Sequence, residues 1–363
     1  MASDEDLVAR DAVLARVEAW RKRAPRLTDD VISMAHGAGG KASQALFEAV
    51  IHPAFANSEL DRVDDGAAID VPAGHRVVMS TDAFVVTPRR FPGGSIGDLA
   101  VNGTVNDVAA MGAVPHALAV SFVLEEGLSV DEFRSIVADV AAAARFAGVE
   151  VVTGDTKVVE RGAADGCYIT TTGIGFLPAD RHLGADRVRA GDALVVSGTI
   201  GDHGIAVMVA RGNLELSSDV PSDSAPLARL VASLLDVVPD TRWLRDPTRG
   251  GVASSCNELA ATTGLGVRLL EANLPVKRPV AGACELLGLD PLYIANEGKM
   301  LAVVPADRAD DAVVAMRTSP FGAEACVIGS IVDDHPGMVV IETAFGGSRI
   351  VDMLVGDPLP RIC

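Results

Sequence analysis

The chain has 363 residues, a mass of 37.5 kDa and a net charge of −18. At ~150 residues per domain this length predicts about two domains, and the 49% share of apolar residues argues against a disordered protein. A pI near 4.7 and only 4% aromatic residues argue against nucleic-acid binding and against a basic membrane-binding face. Any bound phosphate must therefore be held locally.

The cysteines are widely spaced and include no C-x-x-C pair: Cys167, Cys256, Cys284, Cys326 and Cys363. This pattern argues against a disulfide framework or a zinc knuckle. The sequence contains no basic secretory leader and no uncharged apolar run of ~18 residues, so we expect no membrane span and a cytoplasmic location. Cys363 is unusual because it ends the chain.

The first half of the chain predicts an N-terminal arm, residues 1–30, followed by an αβ domain, residues 31–187. An amphipathic helical pattern covers residues 4–24 of the arm. The domain begins with the glycine loop 36–41. After that loop we expect helices over 42–51, 95–112 and 129–147, and strands over 67–71, 76–80, 115–123, 149–153 and 168–175. Ser129 and Glu132 are placed to form a capping box at the start of the helix over 129–147, and Gly148 is placed to end it.

The second half predicts another αβ domain, residues 188–353, and a tail, residues 354–363. The expected elements are a strand over 193–197, a glycine loop over 198–204, a helix over 205–211, an exposed loop over 217–226, helices over 225–237 and 252–263, and strands over 266–270, 300–304, 325–331 and 338–342. Prolines exclude a helix in the tail. Its ten residues would reach ~33–36 Å, far enough to enter a cleft.

Acidic side chains recur in the first domain, at strand ends or beside a helix. They are Asp65, Asp82, Asp107 and Asp155, and the amide Asn106 lies next to Asp107. Oxygen ligands from separate loops suit Mg²⁺ when phosphates complete the coordination shell. Asp and Asn also form turns and caps, so a structural role is the alternative for each loop. Together they predict a metal site at Asp65, Asp82, Asp107 and Asp155.

Two glycine-rich loops precede helices. The loop Gly37–Lys41 could bind phosphates through backbone N–H groups, with Lys41 offsetting charge, although its spacing is not that of a Walker A loop and a flexible linker is the alternative. The loop Gly198–Gly204 lacks the dinucleotide spacing, so we assign it to turns and packing. At Asp246–Gly251, Arg249 either meets an anion or belongs to a structural turn.

Three further residues are candidates for catalysis. Lys157 follows a predicted strand and Glu297 precedes one, and the two would form an acid–base pair if the fold brought them together. Two exposed charges are the alternative. Cys363 does not fit a prenylation signal, which needs the cysteine fourth from the end. A thiol on an extended tail suits a covalent carrier instead.

Taken together, these motifs resemble those of the HypE hydrogenase maturation proteins, in the superfamily of aminoimidazole ribonucleotide synthetase and selenophosphate synthetase. The resemblance runs from about Met34 to Cys363, with Ala38 and Asn102 as mild departures. It is carried by His36–Lys41, Ser80–Asp82, Phe91–Gly94, Gly103–Asp107, Thr153–Val159, Ala295–Lys299 and the ending Pro360–Cys363. The ending is the most specific of these motifs.

The resemblance implies a two-domain α/β fold of the aminoimidazole ribonucleotide synthetase type (α+β), with mixed sheets and helices on one face. It implies a homodimer that binds ATP and Mg²⁺, with ATP held by Gly37, Gly39, Gly40, Lys41, Asp82, Asn106, Asp107 and Asp155. The carbamoyltransferase HypF would load Cys363, and ATP-dependent dehydration would convert the thiocarboxamide to a thiocyanate. Glu297 would act as base and Lys157 would stabilise charge. The cyano group would pass to iron on the HypC–HypD complex for [NiFe] hydrogenase.

The sequence leaves two other hypotheses about the function open. One is another ATP-using enzyme of the superfamily, a ribonucleotide cyclo-ligase or a selenophosphate synthetase. The absence of cysteine before Cys167 disfavours the second of these. The other reading is a non-catalytic carrier that presents Cys363 to partners.

Overall fold

The computed structural model describes residues 26–212, 220–354, 356 and 362–363. Within these ranges the chain forms two large sheets, a two-stranded hairpin and associated helices, so the predicted α/β class with mixed sheets is confirmed. The helix expected over 4–24 and most of the tail 354–363 lie outside the described residues. Nowhere in the described ranges is a helix both long and apolar enough to cross a membrane.

The first helical region is longer than expected. It runs through α1 (Lys41–Leu46), a π-helical turn (Phe47–Ile51) and α2 (His52–Phe55). The strand expected over 67–71 is wrong, because these residues form no regular structure and mostly face solvent. Apolar composition alone predicted that strand, but no strand among the described residues pairs with the segment.

The first sheet positions the candidate site. Its strands are β1 (His75–Phe84), β4 (Val114–Glu125), β5 (Glu150–Val159) and β6 (Cys167–Pro178), and a separate hairpin consists of β2 (Arg90–Phe91) and β3 (Gly94–Ser95). The order is β1-β6-β4-β5, and only β4 and β5 are parallel. One face packs on α3 (Ile96–Ala110) and α4 (Val130–Ala147), while the other face is half-exposed.

The caps at the ends of α3 and α4 agree only in part with those expected from the sequence. The Ser95 hydroxyl caps α3 by accepting hydrogen bonds from two backbone N–H groups. At α4 the expected capping box is wrong: Ser129 makes no side-chain cap, and Glu132 pairs with Arg89 at 2.6 Å instead. Gly148 ends α4 with φ at 78°, as expected, because that left-handed conformation favours glycine.

The second sheet has seven strands: β7 (Ala193–Val196), β8 (Trp243–Arg245), β9 (Gly266–Leu270), β10 (Leu301–Val304), β11 (Cys326–Val332), β12 (Val339–Glu342) and β13 (Ser348–Ile350). Their order is β13-β12-β9-β11-β7-β10-β8, and β9 and β12 are parallel. The accompanying helices are α5 (Asp202–Ala210), α6 (Ala228–Val237), α7 (Gly251–Thr263), α8 (Arg278–Leu287) and α9 (Ala309–Arg317).

Strand β7 shows why this second sheet is buried on both faces. Leu194 and Val196 pack towards α7, whereas Ala193 and Val195 pack towards α6 and α9. The expectation of helices on one face therefore holds for the four-stranded sheet. The seven-stranded sheet differs, because helices cover both of its faces. Helices α8 and α9 were not predicted from the sequence.

The segment 220–227 of the second domain packs against helix α3 of the first domain. It includes the described part of the loop expected over 217–226. It has no regular structure, as expected, but apart from Pro221 it is buried or half-buried rather than exposed. The amide nitrogen of Asn106 on α3 donates to the Ala225 carbonyl at 3.0 Å, and its oxygen accepts from the Leu227 N–H at 2.8 Å. Asn106, expected to bind ATP, therefore uses both polar atoms to hold the two domains together.

We expect Asn106→Ala to lower the free energy of unfolding by about 2–3 kcal/mol, because it leaves a buried N–H and a buried carbonyl without partners. Asn102→Ala is the matched control, since Asn102 lies one turn earlier on α3 and bonds only the Ser224 hydroxyl, at 3.0 Å. It should cost about 1 kcal/mol. Asn102 bonds the same segment through one contact and Asn106 through two, so urea unfolding should separate the variants, and equal losses would contradict the larger share of Asn106 in holding the domains together.

Candidate active site at the domain junction

A cavity of about 350 Å³ lies beside β5 in the first domain. Gly37 and Gly39 of the glycine loop line it together with Asp155 and Lys157. Gly37 allows the loop to approach β5, because a Cβ atom there would lie 2.8 Å from the Val158 nitrogen. The volume is in the range of small-molecule sites. The fold thus brings together three of the residues expected to bind ATP, Gly37, Gly39 and Asp155, with Lys157, which was predicted as a catalytic residue.

The other residues of the glycine loop and the first acidic turn lie near this cavity. Gly40 immediately precedes α1, and the exposed Lys41 is the first residue of that helix. Asp65 is exposed, and its neighbour Asp64 lines the cavity instead. Asp64 pairs with the Arg62 Nε at 3.1 Å. The carboxylate that this turn contributes to the cavity wall is therefore Asp64.

A second set of carboxylates, here called the acidic group, consists of Asp82, Asp107, Asp246 and Glu297. The Ser80 hydroxyl donates to Asp107 at 2.6 Å. Burial and the charge of Asp107 raise the pKa of Asp82. Burial and the same neighbouring charge raise the pKa of Asp246 to about 7. These shifts show that the carboxylates repel one another, so the acidic group favours a proton or a cation.

Glu297 is the most strongly perturbed member of the acidic group. Only 3% of its surface is exposed, which rules out the alternative of an exposed charge. Burial, followed by the charges of Asp246, Asp223 and Asp82, raises its pKa well above the usual value. Its Oε1 makes no hydrogen bond within the described part of the chain. A buried carboxyl with a raised pKa and an unused oxygen is suited to accepting and releasing a proton.

Lys157 lies away from the acidic group. Its ammonium pairs with Asp155 at 3.1 Å on the edge strand β5. Gly154, which precedes this pair, lies on the same rung of the sheet as Asp82, three strands away. Three strand spacings amount to ~14 Å. The predicted Lys157–Glu297 pair is therefore not formed within one chain, because Glu297 interacts with the opposite edge of the sheet.

The end of the tail returns to the first domain. Ile362 is buried and forms an antiparallel bridge with Val86, and the Cys363 carbonyl accepts from the Val85 N–H at 3.2 Å. Val85 is three residues beyond Asp82, a distance of ~10 Å along a strand. The half-buried Cys363 therefore ends near the acidic group. All five cysteines are thiols.

No three His, Cys, Asp or Glu side chains in the described ranges form a ready-made metal cage. Mg²⁺ usually binds proteins through one or two carboxylates, with substrate phosphates and waters as the other ligands. The mutual repulsion of Asp82, Asp107 and Asp246 fits such a cation. The residues present therefore suit a metal ion that enters together with a phosphate-bearing substrate.

Comparison with known proteins identifies the family. The AIR synthase related protein N-terminal domain matches residues 63–177, and the corresponding C-terminal domain matches residues 189–341. The chain is 52% identical over 337 residues to the carbamoyl dehydratase HypE of Azotobacter vinelandii, covering 93% of this chain and 98% of that protein. The chain belongs to the HypE family. The HypE of Escherichia coli (strain K12) is 46% identical over 336 residues, covering 92% and 99% of the two chains.

Solved HypE structures share the fold. The crystal structure of HypE in complex with ATP has a TM-score of 0.87 and 46% identity, and it covers 91% of this chain and 99% of that one. A HypE–HypF complex has a TM-score of 0.75 and 44% identity, covering 85% and 100%. The resemblance seen in the sequence and the fold class are thereby confirmed. HypE relatives bear the name of an enzyme, so this chain is an enzyme rather than a passive carrier.

Two residues of this HypE-family chain were missed as site residues by sequence reasoning. Asp246 was noted only as the start of a helix, although the run Asp246–Gly251 directly follows the short strand β8. His203 was assigned to a packing loop, but it contacts the tail. In both cases the sequence shows a polar residue within a glycine-rich turn. The sequence alone does not show that this turn lies beside the first domain.

Proposed function

We propose that this HypE-family enzyme uses ATP to dehydrate a carbamoyl group on Cys363 to a thiocyanate, which supplies cyanide for [NiFe] hydrogenase maturation. The observation that carries the proposal is the position of the chain terminus. Cys363 ends beside β1, the strand that carries Asp82 of the acidic group. A covalently attached substrate would thus lie close to Glu297, a buried carboxyl suited to proton transfer.

The chemistry balances without a redox step. The amide oxygen of the thiocarboxamide attacks the γ-phosphorus of ATP, and ADP leaves. The nitrogen then loses both protons, the C≡N bond forms, and the oxygen departs with the phosphate. An amide oxygen is a poor leaving group, and phosphorylation makes it a good one. The protein must therefore orient the γ-phosphate and accept protons from nitrogen.

The described residues divide these tasks between them. Glu297 is the proposed base. Asp82, Asp107 and Asp246 would hold Mg²⁺, which offsets the charge of the triphosphate when bound. The glycine loop, from Gly37 to Lys41, would cover the phosphates through backbone N–H groups. Asp65 and Asp155 stay predictions as metal ligands.

Within one chain, the cavity and the acidic group lie at opposite edges of the first sheet. In the proposed homodimer, the cavity of one subunit would lie near the acidic group of the other. Strand β1 is an open edge of its sheet and exposes apolar side chains, with 51% of Val77 and 69% of Met79 accessible. An exposed apolar edge strand is suited to pairing with another chain. We infer that a second copy covers this edge and brings its own Lys157 towards the Glu297 of the first.

A mixing experiment tests this shared site. Lys157→Ala and Glu297→Gln should each be inactive as homodimers, whereas subunit exchange between them should restore ~25% of the parent activity. Half of the dimers would then be mixed, and one of the two sites in each would hold both native residues. Turnover of carbamoylated protein measures the recovery. A mixture that stays inactive after verified exchange contradicts a site shared between subunits.

The proposed partners follow from the family. The crystal structure of a HypE–HypF complex supports HypF as the protein that loads Cys363. We propose HypC–HypD as the acceptor of the cyano group. A cytoplasmic location is part of the proposal, because Cys363 has to remain a thiol between cycles.

Intact-mass spectrometry tests the proposed function directly. Incubation with HypF, carbamoyl phosphate and ATP should add the mass of one carbamoyl group and then remove one water, with ADP and phosphate as products. Peptide mapping should place both adducts on Cys363. Carbamoylation that never loses water would favour a carrier, and an adduct on another cysteine would overturn the mechanism.

A further inference from the structure

The imidazole of His203 on α5 touches the end of the tail. It is fully buried, its Nε2 lies 2.6 Å from the Ile362 carbonyl oxygen, and its Nδ1 lies 2.9 Å from the Ser222 hydroxyl. Burial lowers the pKa of His203, which favours the neutral ring with a single N–H. Because a carbonyl can only accept, the hydrogen belongs on Nε2, and Nδ1 accepts from Ser222.

The hairpin of β2 and β3 fixes this arrangement from the other side. The Phe91 ring meets the imidazole edge to face, with centroids 5.5 Å apart, and the Pro92 carbonyl accepts from the Ser222 N–H at 2.7 Å. Gly93 has φ at +87°, and a Cβ atom there would lie 2.7 Å from the Ser222 nitrogen. Two motifs left without a chemical role, the run Phe91–Gly94 and the glycine loop containing His203, therefore meet at the tail.

The same backbone segment also holds the proposed base. Asp223, next to Ser222, accepts from the Glu297 N–H at 3.1 Å. Asp223 also pairs with the buried Lys299 at 3.1 Å, which anchors this segment. The position of the Ile362 carbonyl is therefore tied to that of Glu297 through Ser222 and Asp223.

We propose that His203 is a positioning residue that fixes the terminal peptide and so sets the place of the Cys363 thiol relative to Glu297. Ile362 supplies the binding energy, since its side chain is only 4% exposed and packs in the core. His203 supplies direction, because a single hydrogen bond to its carbonyl selects one orientation of the peptide that precedes Cys363. The part of this inference that concerns catalysis rests on the proposed function, whereas the part that concerns the tail does not.

Thiol labelling of the full chain, without ATP or partners, tests the position of the tail. N-ethylmaleimide should modify Cys363 about tenfold faster in His203→Leu than in the parent, because a buried carbonyl loses its donor. His203→Gln should stay within about twofold, since its amide can still donate to Ile362. The half-buried Cys326 is the matched control and should react at an unchanged rate.

Buried thiols report whether each variant is folded. Cys256 is fully buried, and burial raises its pKa to about 12, so it should resist labelling in any folded variant. If it reacts in His203→Leu, the comparison passes to Ser222→Ala, which keeps the ring but removes its hydroxyl donor and should speed Cys363 labelling about threefold. Parent-like labelling of Cys363 in folded His203→Leu, or in Ser222→Ala where His203→Leu does not fold, overturns the proposal.

Turnover separates this inference from the proposed function. In His203→Leu, kcat for dehydration should fall while the KM for ATP is unchanged, and His203→Gln should recover most of the loss. If labelling responds as expected but the parent never forms thiocyanate, the proposed function fails and the positioning of the tail stands. If activity falls without any change in labelling, the positioning role is wrong.

Discussion

Cys363→Ala is expected to abolish both the carbamoyl adduct and thiocyanate formation, while ATP binding stays within about twofold of the parent. The reason is chemical, because alanine has no atom to which the carbamoyl group can attach. ATP binding should persist because the cavity lined by Gly37 and Lys157 lies beside β5, at the far edge of the sheet from the terminal residue. Intact-mass spectrometry and calorimetric titration with ATP measure the two effects.

The matched control is Cys326→Ala. Cys326 is also a half-buried thiol, but it lies on β11 in the second domain. Its replacement should leave carbamoylation and turnover unchanged. Carbamoylation that survives in Cys363→Ala would show that another group accepts the carbamoyl and would remove the chain terminus from the mechanism.

Glu297→Gln is expected to lower kcat by ~10²–10⁴-fold and to accumulate the carbamoylated protein, because an amide cannot accept the nitrogen protons. The side chains are nearly the same size, so binding of ATP should change little. The pH profile carries a second signature. Because the pKa of Glu297 is raised, the parent rate should increase with pH as its carboxyl ionises, and the variant should lack that step.

The same raised pKa predicts a gain in stability. Ionisation of Glu297 is harder in the folded chain than in the unfolded chain, so its unfavourable contribution is absent at low pH and grows as pH rises towards the folded pKa. Glu297→Gln should therefore raise Tm at pH 8 more than at pH 5. Glu285→Gln, at an exposed site on α8, is the control and should show no such difference. Equal Tm shifts at both pH values would contradict the buried charge.

Much of the fold was predictable from local pattern. Strand β9 occupies the residues that the sequence predicted, and α4 and α7 lie within a residue or two, because their apolar periodicity and glycine endings are local properties. The strand expected over 67–71 failed because pairing with another strand is not a local property. The loop 217–226 was expected to be exposed for its polar composition, yet its described residues 220–226 pack against α3 and, apart from Pro221, are buried or half-buried.

The candidate site was predictable only in its residue types. The glycine loop with Asp155, and Asp82 with Asp107, do fall into shared groups, as the motifs implied. The sequence could not show that Asp246 joins the second group or that Lys157 and Glu297 lie apart. Those facts depend on which strands are neighbours and on how the two domains pack.

The acidic composition, the carboxylates at separate loops and the terminal cysteine were determined by the sequence itself, because they are properties of residue type and position along the chain. The tertiary structure decided what these residues do together. Burial at the junction between domains makes Glu297 and Asp246 difficult to ionise, because it removes water and places other carboxylates nearby. The meeting of β1, α5 and the tail holds Cys363 at the end of the strand that carries Asp82, because contacts between residues distant in sequence exist only in the folded chain.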